Sequence, residues 1–197
     1  MQAVILAAGK GTRMYPLAVD KPKPLIEVAN KPVLEHNLEQ MLGLVEEVVI
    51  IVGYKKDMII NRFGNNYKGI KITYVVQEEQ LGTGHAVLMA KEFVNEKFLV
   101  LNGDDLFSRK DMGNISKYEN CILIKYKRDA SAFGAVVIEN GKVKDIVEKS
   151  KEFVSNYVNA GMYCFSPEVF AILQGLEPSI RGEYELTDAV KVLAKQG

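Results

Sequence analysis

The chain has 197 residues, 48% apolar and 25% charged, and its 25 basic and 25 acidic side chains leave a formal net charge of zero. That length suits one domain with a substantial core, and the charge balance excludes a general basic field drawing the protein to nucleic acid or membrane. No apolar run nears the ~20 residues that cross a bilayer, and no signal-like segment opens the chain. The expectation is a cytoplasmic protein with a single domain over residues 1–197.

Taken in chain order, residues 2–7 (QAVILA) form a short β-branched run stopped by glycine, a buried strand. A loop rich in Gly, Lys and Pro follows. Pro32 then opens a helix with Val33, Leu34, Asn37, Leu38, Met41 and Leu42 on one face. Val48 to Val52 is a second strand, Lys55 to Phe63 a helix closed by Gly64, and Ile70 to Val76 a third strand. Gly84 to Phe93 reads as a third helix, and Phe98 to Leu101 as a fourth strand ending in Asn102-Gly103-Asp104-Asp105. Strands apolar on both faces and separated by single helices imply a doubly wound α/β fold around a mainly parallel, Rossmann-like sheet. After Lys117 the pattern changes to strands at Cys121–Tyr126, 135–138, 143–147 and 158–165, with a hairpin at Glu139-Asn140-Gly141. These are expected to add a second layer of mixed strands. Helices near 167–173 and 184–195 end the chain.

Several chemistries are excluded. His36 and His85 are far apart and no Cys/His cluster has zinc-ligand spacing. No G-x-S-x-G elbow supports a serine triad. Cys121 and Cys164 lie within apolar runs, which predicts buried free thiols. The first strand instead runs into Leu6-Ala7-Ala8-Gly9-Lys10-Gly11-Thr12-Arg13. Ligands of open α/β sheets bind at strand carboxyl ends. There, small residues let backbone N–H groups wrap a phosphate chain, and Arg13 adds a planar cation. A Walker A loop would need Ser or Thr where Gly11 stands, and a dinucleotide fingerprint a glycine where Met14 stands. In Lys21-Pro22-Lys23-Pro24-Leu25, two prolines are expected to hold two lysines in an extended segment.

The stretch LAAGKGTRMYPL…KPKPL resembles the signature of the sugar-1-phosphate nucleotidylyltransferases, and QEEQLGTGHA and LNGDD follow in that family's order. The resemblance covers nearly the whole chain and implies a nucleotide-diphospho-sugar transferase-like fold. It implies that Leu6, Ala7, Ala8, Gly9, Gly11 and Thr12 bind the nucleotide, together with Gln77, Gly82 and Thr83. A carboxamide donates and accepts, so Gln77 can read the N3–H and a carbonyl of uracil or thymine. Gly82 lets backbone approach the base. The segment is similar to the uracil-reading part of N-acetylglucosamine-1-phosphate uridylyltransferase domains. His85 reads more simply as a packed neutral imidazole than as a catalytic group. By resemblance Asp104 is the Mg²⁺ ligand and Asp105 a variable position. Gly134, Glu148, Lys149 and Asn159 would hold the sugar phosphate, and Thr187 and Asp188, in the family's GEYxLTD segment, have structural roles.

The implied reaction is in-line attack of a sugar 1-phosphate oxygen on the α-phosphorus of a nucleoside triphosphate, with release of pyrophosphate. UTP or dTTP and glucose- or N-acetylglucosamine-1-phosphate are the favoured pairs. The nucleophile is already an anion, so no general base is needed. Arg13 would face the departing pyrophosphate, and Lys23 the α-phosphate and sugar phosphate. Relatives continue past the GEYxLTD helix and gain a second metal ligand there. A chain ending at Gly197 is either a trimmed form or a short member with weakened metal binding. A non-catalytic nucleotide-sugar-binding relative or regulatory subunit is the alternative class, and homo-oligomerisation is left open.

Overall fold

The computed structural model describes residues 1–11 and 18–196. In chain order the first half comprises β1 (Gln2–Ala7), a small hairpin of β2 (Glu27–Val28) and β3 (Lys31–Pro32), α1 (Val33–Met41), β4 (Glu47–Val52), α2 (Lys56–Phe63), β5 (Asn66–Tyr67), β6 (Ile70–Val76), α3 (Thr83–Leu88) and β7 (Phe98–Asn102). The second half comprises α4 (Arg109–Ile115), β8 (Cys121–Tyr126), β9 (Gly134–Glu139), β10 (Lys142–Glu148), β11 (Tyr157–Phe165), α5 (Val169–Gln174) and α6 (Leu186–Gln196).

The parallel core is as expected. β1 lies between β4 and β7, and β6 flanks β4, all running parallel. Alternation divides these strands between two cores. Ala3, Ile5, Val48 and Ile50 pack with Leu34, Leu38 and Met41 of α1 on one side. Val4, Val49 and Ile51 pack with Ala86 and Val87 of α3, and with Leu186 and Val190 of α6, on the other. The central strands β1, β4 and β7 are therefore apolar along most of their length because both their faces are covered, whereas the outer β6 carries Lys71 and Thr73.

The later strands do not form a second layer. They extend the same sheet, in the order β10-β9-β11-β7-β1-β4-β6-β5, with β8 pairing β11 beside that path. β11 makes this possible by running antiparallel to β7, which presents a hydrogen-bonding edge that no parallel crossover has covered. The register of β11 against β8 shifts between Asn159 and Tyr163, so one strand serves β8, β9 and β7 along its length. The hairpin joining β9 and β10 turns at Asn140 and Gly141, both with positive φ (52° and 77°), the pairing a two-residue type I′ turn needs.

Three further readings change. The helix expected to reach Phe93 ends at Leu88, where hydrogen bonds tighten to Ala90 N–Val87 O and Phe93 N–Ala90 O and deliver Val94 to the core. The Lys21–Leu25 segment is not extended: Lys23–Leu25 is a 3₁₀ turn closed by Leu25 N–Pro22 O at 2.9 Å. The unexpected α4 is capped by Ser108, whose Oγ accepts from Asp111 N at 3.1 Å, a signal readable in Ser108-x-x-Asp111 but masked by Gly113 within the helix. Both cysteines are free, as expected; Cys164 is buried and Cys121 only half so. Among the described residues no helix is long and apolar enough to cross a membrane.

Candidate active site

The loops following β1, β6 and β7 leave the same edge of the parallel sheet, and a cleft of about 500 Å³ opens there. Two loops supply much of its wall: Leu6, Ala7, Ala8, Gly9 and Gly11 from the first, and Gly82 and Thr83 from the loop after β6. Gln77, Lys23 and Asp104 complete the group expected from sequence. Thr12 and Arg13 lie outside the described residues. Lys21 does not line the cleft; the 3₁₀ turn delivers only Lys23, whose Nζ pairs with Asp104 Oδ2 at 2.9 Å.

A second cleft of about 670 Å³ adjoins the first, sharing Thr83 and Asn102 in its walls. Gly134, Glu148, Lys149 and Asn159, separate in sequence, all line it. Gly134 stands opposite Glu148 in the β9–β10 ladder, and a methyl group on Gly134 would meet Glu148 Oε1 at 2.7 Å, so the glycine makes room for the carboxylate. Asn159 donates to the Tyr163 hydroxyl oxygen at 2.6 Å, and burial raises the Tyr163 phenol well above its ordinary range, leaving it a neutral support.

The two acidic neighbours divide between the clefts. Asp104 lines the first and Asp105 the second. Desolvation, followed by the adjacent Asp104 carboxylate, raises the Asp105 carboxyl above its ordinary value. The loop carrying both is fastened from behind by Asn37, fully buried on α1, which donates to Asp105 O at 2.8 Å and accepts from Phe107 N at 3.2 Å. Sequence reading placed Asn37 on the helix's apolar face but not its task.

The loop after β6 is fixed by the segment before α6. Gly84 N donates to Tyr184 O at 2.7 Å, Tyr184 N donates to Leu81 O at 2.8 Å, and Leu186 N donates to Thr83 Oγ1 at 3.0 Å. Gly82 adopts φ +108°, and a methyl group there would lie 2.6 Å from Tyr184 O. The two motifs QLGTGHA and RGEYELTD therefore form one unit. Glu183 reaches the first cleft from it, while Arg181, Glu185 and Thr187 reach the second. Arg181 and Glu185 form an ion pair, and the Thr187 hydroxyl is buried without a hydrogen-bond partner among the described residues. Sequence reading assigned no site role to Lys10, Gln80, Asn102, Asp105, Glu183 or Arg181. Asn102 and Asp105 had a signal as neighbours of Asp104, and Lys10, Gln80 and Glu183 as members of the three other motifs.

The profile of the nucleotidyl transferase family matches residues 2–197. The chain belongs to that family. It is 46% identical over 200 residues to the bifunctional protein GlmU of Methanococcus maripaludis, an alignment taking in 100% of this chain and 48% of that one. It is 39% identical over 207 residues to the UTP–glucose-1-phosphate uridylyltransferase AglF of Haloferax volcanii, taking in 100% of this chain and 85% of the relative. A solved structure of UDP-glucose pyrophosphorylase complexed with UDP-glucose superposes with a TM-score of 0.85 at 26% identity, over 100% of this chain and 87% of the other. The chain spans about half the length of the GlmU relatives it matches.

As to a metal, the described residues contain no cluster of three acidic, His or Cys side chains that could hold one. What the first cleft offers is two carboxylates, Glu183 and the partly exposed Asp104, the latter with a cation already against it. That suits Mg²⁺, which takes oxygen ligands, is commonly bound through one or two carboxylates, and completes its shell with water and substrate phosphates.

Proposed function

We propose that the protein is a sugar-1-phosphate nucleotidylyltransferase, joining a nucleoside triphosphate, UTP or dTTP in preference, to glucose- or N-acetylglucosamine-1-phosphate. The observation that carries this reading is the pair of adjoining clefts with Lys23 and Asp104 in the wall of the first. Its backbone-lined cleft suits a phosphate chain and a base, and the second, with Glu148, Lys149, Asn159 and the unpaired Thr187 hydroxyl, suits sugar hydroxyls and a phosphate. The uridylyltransferase activity in AglF's name and the UDP-glucose in the superposed structure point to the same substrate classes.

In this reading an oxygen of the sugar 1-phosphate attacks the α-phosphorus, forming one P–O bond as the bond to pyrophosphate breaks. No proton need move, which fits a site whose described walls hold no general-base histidine. Lys23 neutralises charge on the α-phosphate and the incoming phosphate once its present partner is engaged elsewhere. Backbone N–H groups of residues 8–11 hold the phosphate chain, and Arg13 is assigned the pyrophosphate from sequence alone. Asp104 would hold Mg²⁺, which when bound neutralises phosphate charge. Orientation by the two clefts supplies the remainder.

The test is pyrophosphate release with Mg²⁺, crossing five nucleoside triphosphates with glucose-, N-acetylglucosamine- and mannose-1-phosphate. Release that requires both a nucleotide and a sugar phosphate is expected. Silence in every combination, from protein shown to be folded, would leave the non-catalytic nucleotide-sugar binder as the reading.

A further inference from the structure

We propose that His85 is a positioning residue that fixes which face of the Gln77 amide meets the nucleotide base, and so makes the first cleft select bases carrying a ring N–H. The inference rests on the nucleotide reading above. Gln77 follows directly on β6 and is only 4% exposed. Its Nε2 lies 3.2 Å from Gly82 O and 2.9 Å from His85 Nδ1. A backbone carbonyl only accepts, so the amide atom facing Gly82 must be the nitrogen. That same nitrogen faces His85. An amide nitrogen has two hydrogens, and both are now committed.

Two consequences follow from elementary valence. His85 Nδ1 must act as an acceptor, which places the proton of its neutral ring on Nε2. The polar atom left to Gln77 for a ligand is Oε1, which only accepts. An amide that from sequence could both donate and accept is reduced by its neighbours to a single kind of contact. The N3–H of uracil or thymine matches that oxygen. Cytosine has a lone pair at N3, and two acceptors facing each other in a nearly buried site go unpaired.

Rotating the amide to suit cytosine would set Oε1 against Gly82 O and against His85 Nδ1 together. Gly82 cannot yield, because its loop is tied to Tyr184 through Gly84 N and Leu81 O. His85 cannot yield without changing tautomer or gaining a proton. The specificity element is therefore a relay of three groups, of which Gln77 and Gly82 line the cleft and His85 stands behind them.

The experiment is calorimetric binding of UTP and CTP, each with Mg²⁺, to the wild-type chain, His85→Leu and His85→Asn. Calorimetry needs no turnover, so it stands apart from the test of catalysis. Wild type is expected to favour UTP. His85→Leu should cut the UTP-over-CTP ratio roughly tenfold, about the worth of one hydrogen bond, by weakening UTP alone. His85→Asn, with Oδ1 close to where Nδ1 stood, should restore most of the ratio. A merely packed histidine would move both nucleotides together and would not be rescued by Asn. An unchanged ratio in folded His85→Leu overturns the proposal and leaves the nucleotide reading intact, whereas wild type favouring CTP or binding neither overturns both. Imidazole ¹⁵N spectra of the wild-type chain give a second measurement independent of variant folding. A proton on Nε2 supports the proposal, and one on Nδ1 overturns it.

Discussion

The two clefts of this molecule are built in opposite ways. The first is lined largely by loops that leave parallel strands at one edge of the sheet, so contiguous residues such as 6–11 share its wall. The second collects side chains from β8, β9, β10, β11 and the segment before α6, with contributions from residues 102–111. A phosphate chain is recognised by many N–H groups in a row, which a short glycine-rich stretch provides by itself. A sugar demands donors and acceptors at separated points, which strands supply only once they lie side by side.

The largest expected effect lies in the first cleft. Lys23→Ala and Asp104→Asn should each lower kcat by about 10²–10³-fold, the cost of removing a preorganised electrostatic contact. The pair is part-exposed, with side-chain accessibilities of 18% and 39%, so melting temperature should barely change. Parallel losses of activity and stability would make the pair a structural clamp and blur the contrast between the clefts.

Next come two glycines, one on each side. Gly82→Ala sets a methyl group 2.6 Å from Tyr184 O and 2.8 Å from Tyr184 N, both backbone, at φ +108°. It should cost about 1–3 kcal/mol of stability and weaken nucleotide binding. Gly134→Ala meets instead the free end of Glu148 at 2.7 Å. Stability should hold while KM for the sugar phosphate rises roughly threefold to tenfold, the worth of one displaced hydrogen bond. Thermal melts beside separate KM values for the two substrates would read the difference. If both variants raised both KM values alike, the two clefts would be one.

The smallest effect lies away from either cleft. Lys31 and then Lys68 hydrogen-bond Glu39 and hold its carboxyl down from 4.5 to about 2. A depressed carboxyl stabilises the fold above its unfolded value and loses that contribution as pH falls from 4.5 toward 2. Glu39→Gln should therefore melt slightly lower at neutral pH, with the difference closing over that range. A difference that stayed constant with pH would assign the effect to packing.

Legibility in the sequence followed the same division. Val48–Val52 and Phe98–Leu101 could be placed from composition alone because strands covered on both faces are apolar throughout. Gly11 stood out because a glycine-rich loop at a strand end keeps its chemistry in sequence order, whereas Gly82 and Asp104 were named through resemblance. Gly134, Glu148, Lys149 and Asn159 were named only through resemblance; nothing in their local pattern separates them from solvated strand residues. Asn37 looked like one more member of an apolar face, since a helix period records burial and not the partner of a buried amide.

The sequence by itself determined the parallel core, the hairpin at Asn140-Gly141 and the backbone-lined loop, because periodicity, turn chemistry and small-residue runs act over a few residues. Only the tertiary structure decided that the later strands join the same sheet, that Asp104 and Asp105 line different clefts, and that the Gln77 amide nitrogen lies against both Gly82 O and His85 Nδ1. Those outcomes depend on which edges and carbonyls come together across the fold, and hydrogen-bond valence is settled only when every neighbour is in place.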